Sequence, residues 1–376
     1  MDLQYSPEQT ALRESVERFV RDEYDFARRR KLVASELGHD ARCWQQYADF
    51  GWLAVPFSED DGGIGGDATD VGIVMEGVGR GLLLEPYLAN VVLAGGMLGL
   101  LGNAAQKAEW LQPMMGGTHK LALAHAEPGS RYETTHCETA LTRQGDKLLL
   151  NGRKALVLGG DAADGFVVIA RSSGAVGDGA GLTAVWIAAD APGLTVRRYP
   201  THDGARAADL TLAAVGVPAH HVIGTEGGAH DALELVLDRA IAAVAAEAVG
   251  AMSALVDMTL DYLKTRKQFG RTIGTNQALQ HRMVDMHIAL DEARSMALYG
   301  ALMLKEPDAA VRRKALSATK IEIDRTARLV GQEAVQLHGA MGVTEELAVG
   351  HYFKRLSMIG VSFGDASWHL RRHALA

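Results

Sequence analysis

A chain of 376 residues with a formal net charge of −8 is too long for one ordinary hydrophobic core, so two or three domains are expected. It has no long basic run, and without one there is no electrostatic footprint for nucleic acid. Cys43 and Cys137 stand far apart at no metal-ligand or redox spacing, which excludes a disulfide framework and a cysteine-built metal centre and points to a reducing compartment, the cytoplasm.

The opening Met1–Glu8 has neither a basic n-region nor an apolar h-region, so no export signal is expected. Ser6 before Pro7 is an N-cap candidate, and Leu12, Val16, Phe19 and Val20 then recur at helical spacing. Helices are predicted to continue to about residue 118. Short apolar runs at 148–150, 166–170, 182–188 and 194–196 follow, separated by turn signals at Asn151-Gly152, Gly159-Gly160 and Pro192-Gly193. They predict a small antiparallel barrel over 119–225. Beyond Gly227-Gly228, residues from Leu233 to Leu263 form one broad apolar face that predicts long packed helices over 226–376. Val91–Leu101 and Ala240–Ala246 are too short or too interrupted to span a bilayer, so no membrane partner is expected.

Two motifs invite sharper readings than they support. Gly62–Gly66 loosely matches a dinucleotide fingerprint, but helices rather than β-α repeats surround it, and a turn is the better reading. The histidines show no ligand spacing, and the residues around Ser130 form no nucleophile elbow. No metal site is expected.

The C-terminal half carries the strongest signal. Tyr262–Ile273 closes one long helix, turns at Gly270 and leads to Gln277. Arg266 and Gln268 there set a guanidinium fork and an amide at a helix end, suited to a pyrophosphate; a basic end that complements the macrodipole is the plainer account. A second run, Gln336–Glu346, is rich in small residues that let a flat ligand approach the backbone, or that simply stop a helix.

Taken together, these runs closely resemble the signatures of the acyl-CoA dehydrogenase family. The opening helix, Pro56 with Gly62–Gly66, Ala126-Glu127-Pro128 and Asn151–Lys154 extend the likeness over nearly the whole chain. The resemblance implies an α+β fold with an N-terminal helical domain (1–118), a middle antiparallel β-barrel (119–225) and a C-terminal four-helix bundle (226–376). It implies FAD, an acyl-CoA substrate, an electron-transferring flavoprotein as electron acceptor, and a homo- or hetero-oligomer, dimer or tetramer. By the same likeness Arg266, Gln268 and Phe269 contact the FAD pyrophosphate across a subunit interface. Gln277 belongs to that cofactor site, and Gln336 and Gly339 lie near the adenosine half. The family reaction is α,β-dehydrogenation, in which a carboxylate takes the α-proton and the β-hydride passes to flavin N5.

The sequence departs from the family at telling places. Gly364 stands where the terminal motif usually carries the catalytic Glu, Ala126 replaces a Thr, and Leu156-Val157-Leu158 replaces Trp-Ile-Thr beside the flavin. This ending resembles small-subunit types such as pimeloyl-CoA dehydrogenase and steroid side-chain enzymes. The family sometimes places its base on the first long C-terminal helix, where Glu247 is the one charge between Arg239 and Asp257. Small apolar neighbours there would exclude water and tune a carboxylate as a base. Glu247 is therefore the expected base, with Asp365 the weaker candidate. The alternative is a non-catalytic partner that completes the FAD site of another subunit.

Overall fold

Ser6 begins the first helix as its sequence requires: its hydroxyl accepts the Gln9 amide at 3.2 Å, and the Gln9 side chain accepts the Ser6 amide at 3.1 Å. This reciprocal box satisfies two amides that the first turn would otherwise leave unpaired. The computed structural model describes residues 4–145, 147–268 and 270–375. Helices α1 (Pro7–Glu23), α2 (Phe26–Val33), α3 (Ala41–Asp49) and α4 (Ala68–Gly81) come first. Wide π-helical turns at Leu88–Gly95 run into α5 (Gly96–Leu101), and the short α6 (Ala104–Gln106) and α7 (Gln112–Met115) follow. The β segment contains β1 (Leu121–Ala124), β2 (Ala140–Gln144), β3 (Lys147–Leu158), β4 (Gly165–Arg171), β5 (Leu182–Ala188), β6 (Leu194–Pro200), β7 (Arg206–Val217) and β8 (Val222–Ile223). The chain then forms α8 (His230–Thr265), the hairpin of β9 (Lys267–Gln268) and β10 (Arg271–Thr272), α9 (Gln277–Met303), α10 (Ala309–His338), α11 (Ala348–Val361) and α12 (Ala366–Leu375).

The chain forms two compact units. One comprises Met1–Lys31, Ala68–Leu83 and Ile241–Ala376; the other comprises Leu32–Asp67 and Leu84–Ala240.

The second unit contains the sheet, ordered β6-β7-β3-β2-β4-β5-β8 with β1 beside β4. Its strands match the predicted runs, but the sheet is mixed. β1 lies parallel to β4, and β2 touches β4 in parallel at Ala140 and Arg171, while the other pairings are antiparallel. Every residue of β4 is buried, which explains why it reads as an unbroken apolar run rather than an alternating one. Leu148, Leu150, Phe166, Val168, Val185 and Leu210 share its core. Asn151-Gly152, predicted as a turn, lies inside β3 at a shift of register. A Cβ on Gly152 would come within 2.5 Å of Thr139 Oγ1, so the glycine marks a close approach of strands, not a reversal. Gly62–Gly66 is a turn as predicted. The amides of Gly63, Gly65 and Gly66 are donated to the carbonyls of Ser58, Phe57 and Val55, which leaves none of the three to cradle a phosphate.

The first unit is organised by a helix crossing. A Cβ on Gly79 of α4 would lie 1.8 Å from the carbonyl oxygen of Glu247, and one on Gly250 of α8 would lie 1.9 Å from that of Glu76. Only glycine permits this backbone-to-backbone approach. α8 is long and apolar enough to cross a bilayer by composition, but 83% of its apolar window is buried in protein, and its hydrophobicity serves packing. α10 buries Leu316, Ile323, Val330, Ala334 and Leu337 along one face at helical spacing.

The crossing yields a direct test. Gly250→Ala should destabilise the protein by about 2–3 kcal/mol, because the new methyl meets a carbonyl that cannot rotate away. Gly216→Ala, where nothing lies within 4 Å of the added Cβ, should change stability by less than about 1 kcal/mol. Thermal and urea melts of the two variants make the comparison, and equal melting behaviour would remove the crossing as a constraint.

Candidate active site

The predicted cofactor residues converge on one end of the first unit. At the last turn of α8 the Arg266 amide bonds the Tyr262 carbonyl at 2.8 Å, and the Ile273 amide returns to the Arg266 carbonyl at 2.9 Å. This closes the hairpin around Gly270, whose φ is +78°. α9 then opens at Gln277. α10 stops at His338, because Gly339 takes φ +60°. Tyr262 and His338 stack with centroids 4.4 Å apart, and Arg282 Nε meets Glu333 Oε2 at 2.5 Å, so the end of α8, the start of α9 and the end of α10 are tied together. Arg266, Gln268, Gln277, Gln336 and Gly339 are all exposed. The side chains of Arg266, Gln277 and Gln336 bond no other described residue, and nothing lies within 4 Å of a Cβ built on Gly339. An uncommitted guanidinium, two uncommitted amides and an open backbone fit a dinucleotide's pyrophosphate and adenosine half. Phe269 lies outside the described residues.

The structure corrects the expectation for Glu247. The residue is 2% exposed, and its carboxylate is already paired. Arg355 Nε and Nη2 of α11 hold its two carboxylate oxygens at 2.5 and 2.7 Å. A carboxylate with both oxygens committed to a bidentate guanidinium is poorly placed to accept a substrate proton. The lone charge in an apolar helix was read correctly as buried; its partner, more than a hundred positions away, was not visible.

The terminal turn between α11 and α12 shows why Gly364 is glycine. Its φ is +118°, and an added Cβ would lie 2.6 Å from both His369 Nε2 and Trp368 Cε3. Two buried groups that sequence reasoning missed hold this turn. Lys320 Nζ donates to the carbonyls of Gly360 and Gly364 at 3.0 Å each, and burial pushes its amine down to about 8 against the pull of Asp324 and Asp365. Burial, with Lys320 and Arg372 nearby, pushes His369 to about 3. The neutral ring donates from Nε2 to the Phe363 carbonyl at 3.1 Å and accepts the Ser317 hydroxyl at Nδ1, 3.2 Å away. Asp365 accepts the Trp368 amide on Oδ1 at 2.8 Å; its other oxygen bonds no described residue.

In the second unit, Lys154 Nζ meets Glu127 Oε1 at 2.6 Å, and the amides of Glu138 and Thr139 donate to the same carboxylate at 2.6 and 3.0 Å. Burial alone would raise this acid, but the ammonium and the amides hold it at about 2. The ligand atoms of Glu127, His136 and Glu138 lie within 4.8 Å of one another, yet Lys154 already supplies the positive charge. Leu156, in the stretch where the family usually presents hydroxyl and indole groups, is 49% exposed at φ +51°. Val157 turns into the core. Unit one also contains a cavity of about 760 Å³ between α1, α4, α8 and α9, lined by Gly72, Glu76, Ala246, Ser253 and Arg294; none of the predicted site residues lines it.

Comparison with known proteins gives the family. Family models for the N-terminal, middle and C-terminal domains of acyl-CoA dehydrogenases match residues 6–118, 122–215 and 226–373. The short-chain specific acyl-CoA dehydrogenase of Clostridium acetobutylicum is 29% identical over 93% of this chain and 92% of its own length. The caffeyl-CoA reductase-Etf complex subunit CarC of Acetobacterium woodii is 28% identical over 82% of each chain. Among solved structures, a variant of the Tcur3481-Tcur3483 steroid ACAD superposes with a TM-score of 0.87, at 29% identity over 98% of this chain and 96% of that one. The chain belongs to the acyl-CoA dehydrogenase family, with the family's N-terminal helical, middle β and C-terminal helical architecture. It is thereby an FAD-dependent oxidoreductase of acyl-CoA thioesters.

Two measurements probe the buried charges. Arg355→Met should cost about 3–5 kcal/mol by stranding the Glu247 carboxylate, and the double variant with Glu247→Met should recover much of that loss; urea melts of the single and double variants decide it. Glu127 has a folded value below its unfolded one, so its stabilisation is complete above about 4.3, the usual glutamate range, and is lost as pH falls toward 2. Glu127→Gln should therefore flatten the dependence of stability on pH across that window. An unchanged slope would mean the Lys154 pair does not act on folding.

Proposed function

We propose that this chain carries out FAD-dependent α,β-dehydrogenation of an acyl-CoA with Asp365, rather than Glu247, as the carboxylate that accepts the α-proton. The observation that carries this reading is the contrast between the two acids. Glu247 has both oxygens on Arg355, whereas Asp365 uses one oxygen to cap α12 and keeps the other uncommitted. Asp365 follows directly on the Gly364 position where the family's terminal motif usually places its base. Lys320 and the neutral His369 hold the carbonyls of Gly364 and Phe363 that lead into it, which limits how far the carboxylate can wander. Arg266, Gln268, Gln277, Gln336 and Gly339 hold the pyrophosphate and adenosine half of FAD, and their exposure in the single chain supports a site shared with a second subunit. FAD, when bound, supplies the acceptor for the β-hydride. The protein's part is to orient the thioester, exclude water and take the α-proton on Asp365 as the α,β double bond forms.

The same reading divides the chain into a helical segment 1–118, a middle segment 119–225 whose mixed sheet curls into a barrel, and a four-helix bundle within 226–376. It makes the protein a cytoplasmic homo- or hetero-oligomer that passes electrons to an electron-transferring flavoprotein. The complex of the relative CarC with Etf supports that acceptor, and the buried free thiols of Cys43 and Cys137 suit that compartment. A non-catalytic partner subunit is the less supported alternative.

Purified protein should be yellow and bleach when mixed with its acyl-CoA. Asp365→Asn should slow flavin reduction in single turnover by about 10²–10⁴-fold while flavin content stays at the wild-type level. A near-wild-type rate in that variant would move the base to another carboxylate or another subunit.

A further inference from the structure

The two runs assigned to the cofactor belong to different helices, and FAD must meet both at once. Arg266 and Gln268 leave the end of α8, whereas Gln336 and Gly339 bracket the end of α10. A side-chain contact joins these ends directly. Tyr262 lies one helical turn before Arg266, on the same face, and His338 lies between Gln336 and Gly339. Their rings stack with centroids 4.4 Å apart and planes at 29°, and the Tyr262 hydroxyl points to the His338 carbonyl oxygen at 3.4 Å. The His338 ring is itself fixed, 4% exposed, with Nδ1 donating to the Ala334 carbonyl at 2.8 Å. It therefore cannot follow Tyr262 if α8 shifts.

We infer that the Tyr262–His338 stack is a positioning device for flavin binding: without touching the cofactor, it sets the spacing between the guanidinium run on α8 and the small-residue run after α10. Guanidinium contacts to phosphate are directional, and two runs that engage one rigid ligand lose affinity together when their spacing drifts. Hydrogen bonding is secondary here, because 3.4 Å is long for a phenol donor. The stack is the main link. This inference rests on the assignment of Arg266, Gln268, Gln336 and Gly339 to FAD.

The test is an FAD titration of full-length protein stripped of flavin, followed by fluorescence quenching, with the oligomeric state of each sample checked by size exclusion. Tyr262→Leu should raise the Kd by about three- to tenfold, the scale of one aromatic pair. Tyr262→Phe, which keeps the ring and loses only the hydroxyl, should stay within about twofold. Arg266→Ala should raise the Kd by about tenfold or more. In the Tyr262→Leu/Arg266→Ala double variant the effects should be strongly non-additive, because the stack acts through the placement of Arg266. A residue needed only for folding would give additive losses, and additivity overturns the inference. So does a Tyr262→Phe variant that binds as weakly as Tyr262→Leu. If Tyr262→Leu does not assemble, His338→Leu and His338→Phe pose the same question from the other ring: loss in the first with retention in the second supports the stack, and equal loss overturns it. Unchanged affinity in Arg266→Ala would instead reject the cofactor assignment itself, so the two failures are distinguishable.

Discussion

Where α4 and α8 cross, each helix presses a glycine against a carbonyl of the other, Gly79 against Glu247 and Gly250 against Glu76. A crossing this close fixes the rotation of both helices, since turning either one would bring a side chain into the backbone contact. The placement of the remaining groups in that unit follows from it. The Glu247 carbonyl faces α4, so its side chain leaves from another face of α8, where it meets Arg355 of α11. Tyr352, one turn earlier on α11, donates its hydroxyl to the Arg80 carbonyl of α4. α11 is thus fastened to both crossing helices, and the turn that follows it, with Gly364 and Asp365, inherits that position.

Charged side chains with buried targets fix local geometry in both units. Lys320 gathers the carbonyls of Gly360 and Gly364, Arg355 clamps Glu247, and Lys154 sits on Glu127 beside the amides of Glu138 and Thr139. Desolvation offsets much of what such contacts contribute to stability, so an apolar cluster of the same volume could be as stable. What an apolar cluster lacks is direction. An ammonium or guanidinium bonded to named oxygens admits few arrangements of the groups it joins; Lys320 does this at the terminal turn and Arg355 between α8 and α11.

Much of the fold was legible because it rests on local chemistry. The capping box at Ser6, the apolar runs of β3 to β6, the wide apolar face of α8 and the stop at Gly339 are written in neighbouring residues. The features that were misread depend on distant ones. Asn151-Gly152 has the composition of a turn, and only the closeness of Thr139 makes it a bulge. Glu247 has the surroundings of a tuned base, and only Arg355 makes it a clamp. Lys320 gave no usable signal, because α10 also carries Arg312, Arg313, Lys314, Arg325 and Arg328. Its targets are carbonyls, which leave no trace in composition. The residues proposed for the cofactor stand in two contiguous runs that can be read locally; the Tyr262–His338 contact joins one run to the other and leaves no local trace.

With Asp365 as the proposed base, the terminal turn moves the function by one position rather than deleting it. A side chain on Gly364 would need a backbone conformation that only glycine adopts comfortably, and it would enter space already filled by His369 and Trp368. Those two residues cannot retreat easily. His369 is fully buried between Ser317 and the Phe363 carbonyl, and its low basicity keeps it neutral, so it holds both hydrogen bonds without drawing in a counter-charge. A carboxylate restored at Gly364 would therefore have to displace a packed, satisfied histidine. At Asp365 a carboxylate meets no such obstacle: the helix that begins there supplies an amide to one oxygen and leaves the other open. The packing that excludes a base from Gly364 is the same packing that anchors the turn on which Asp365 stands.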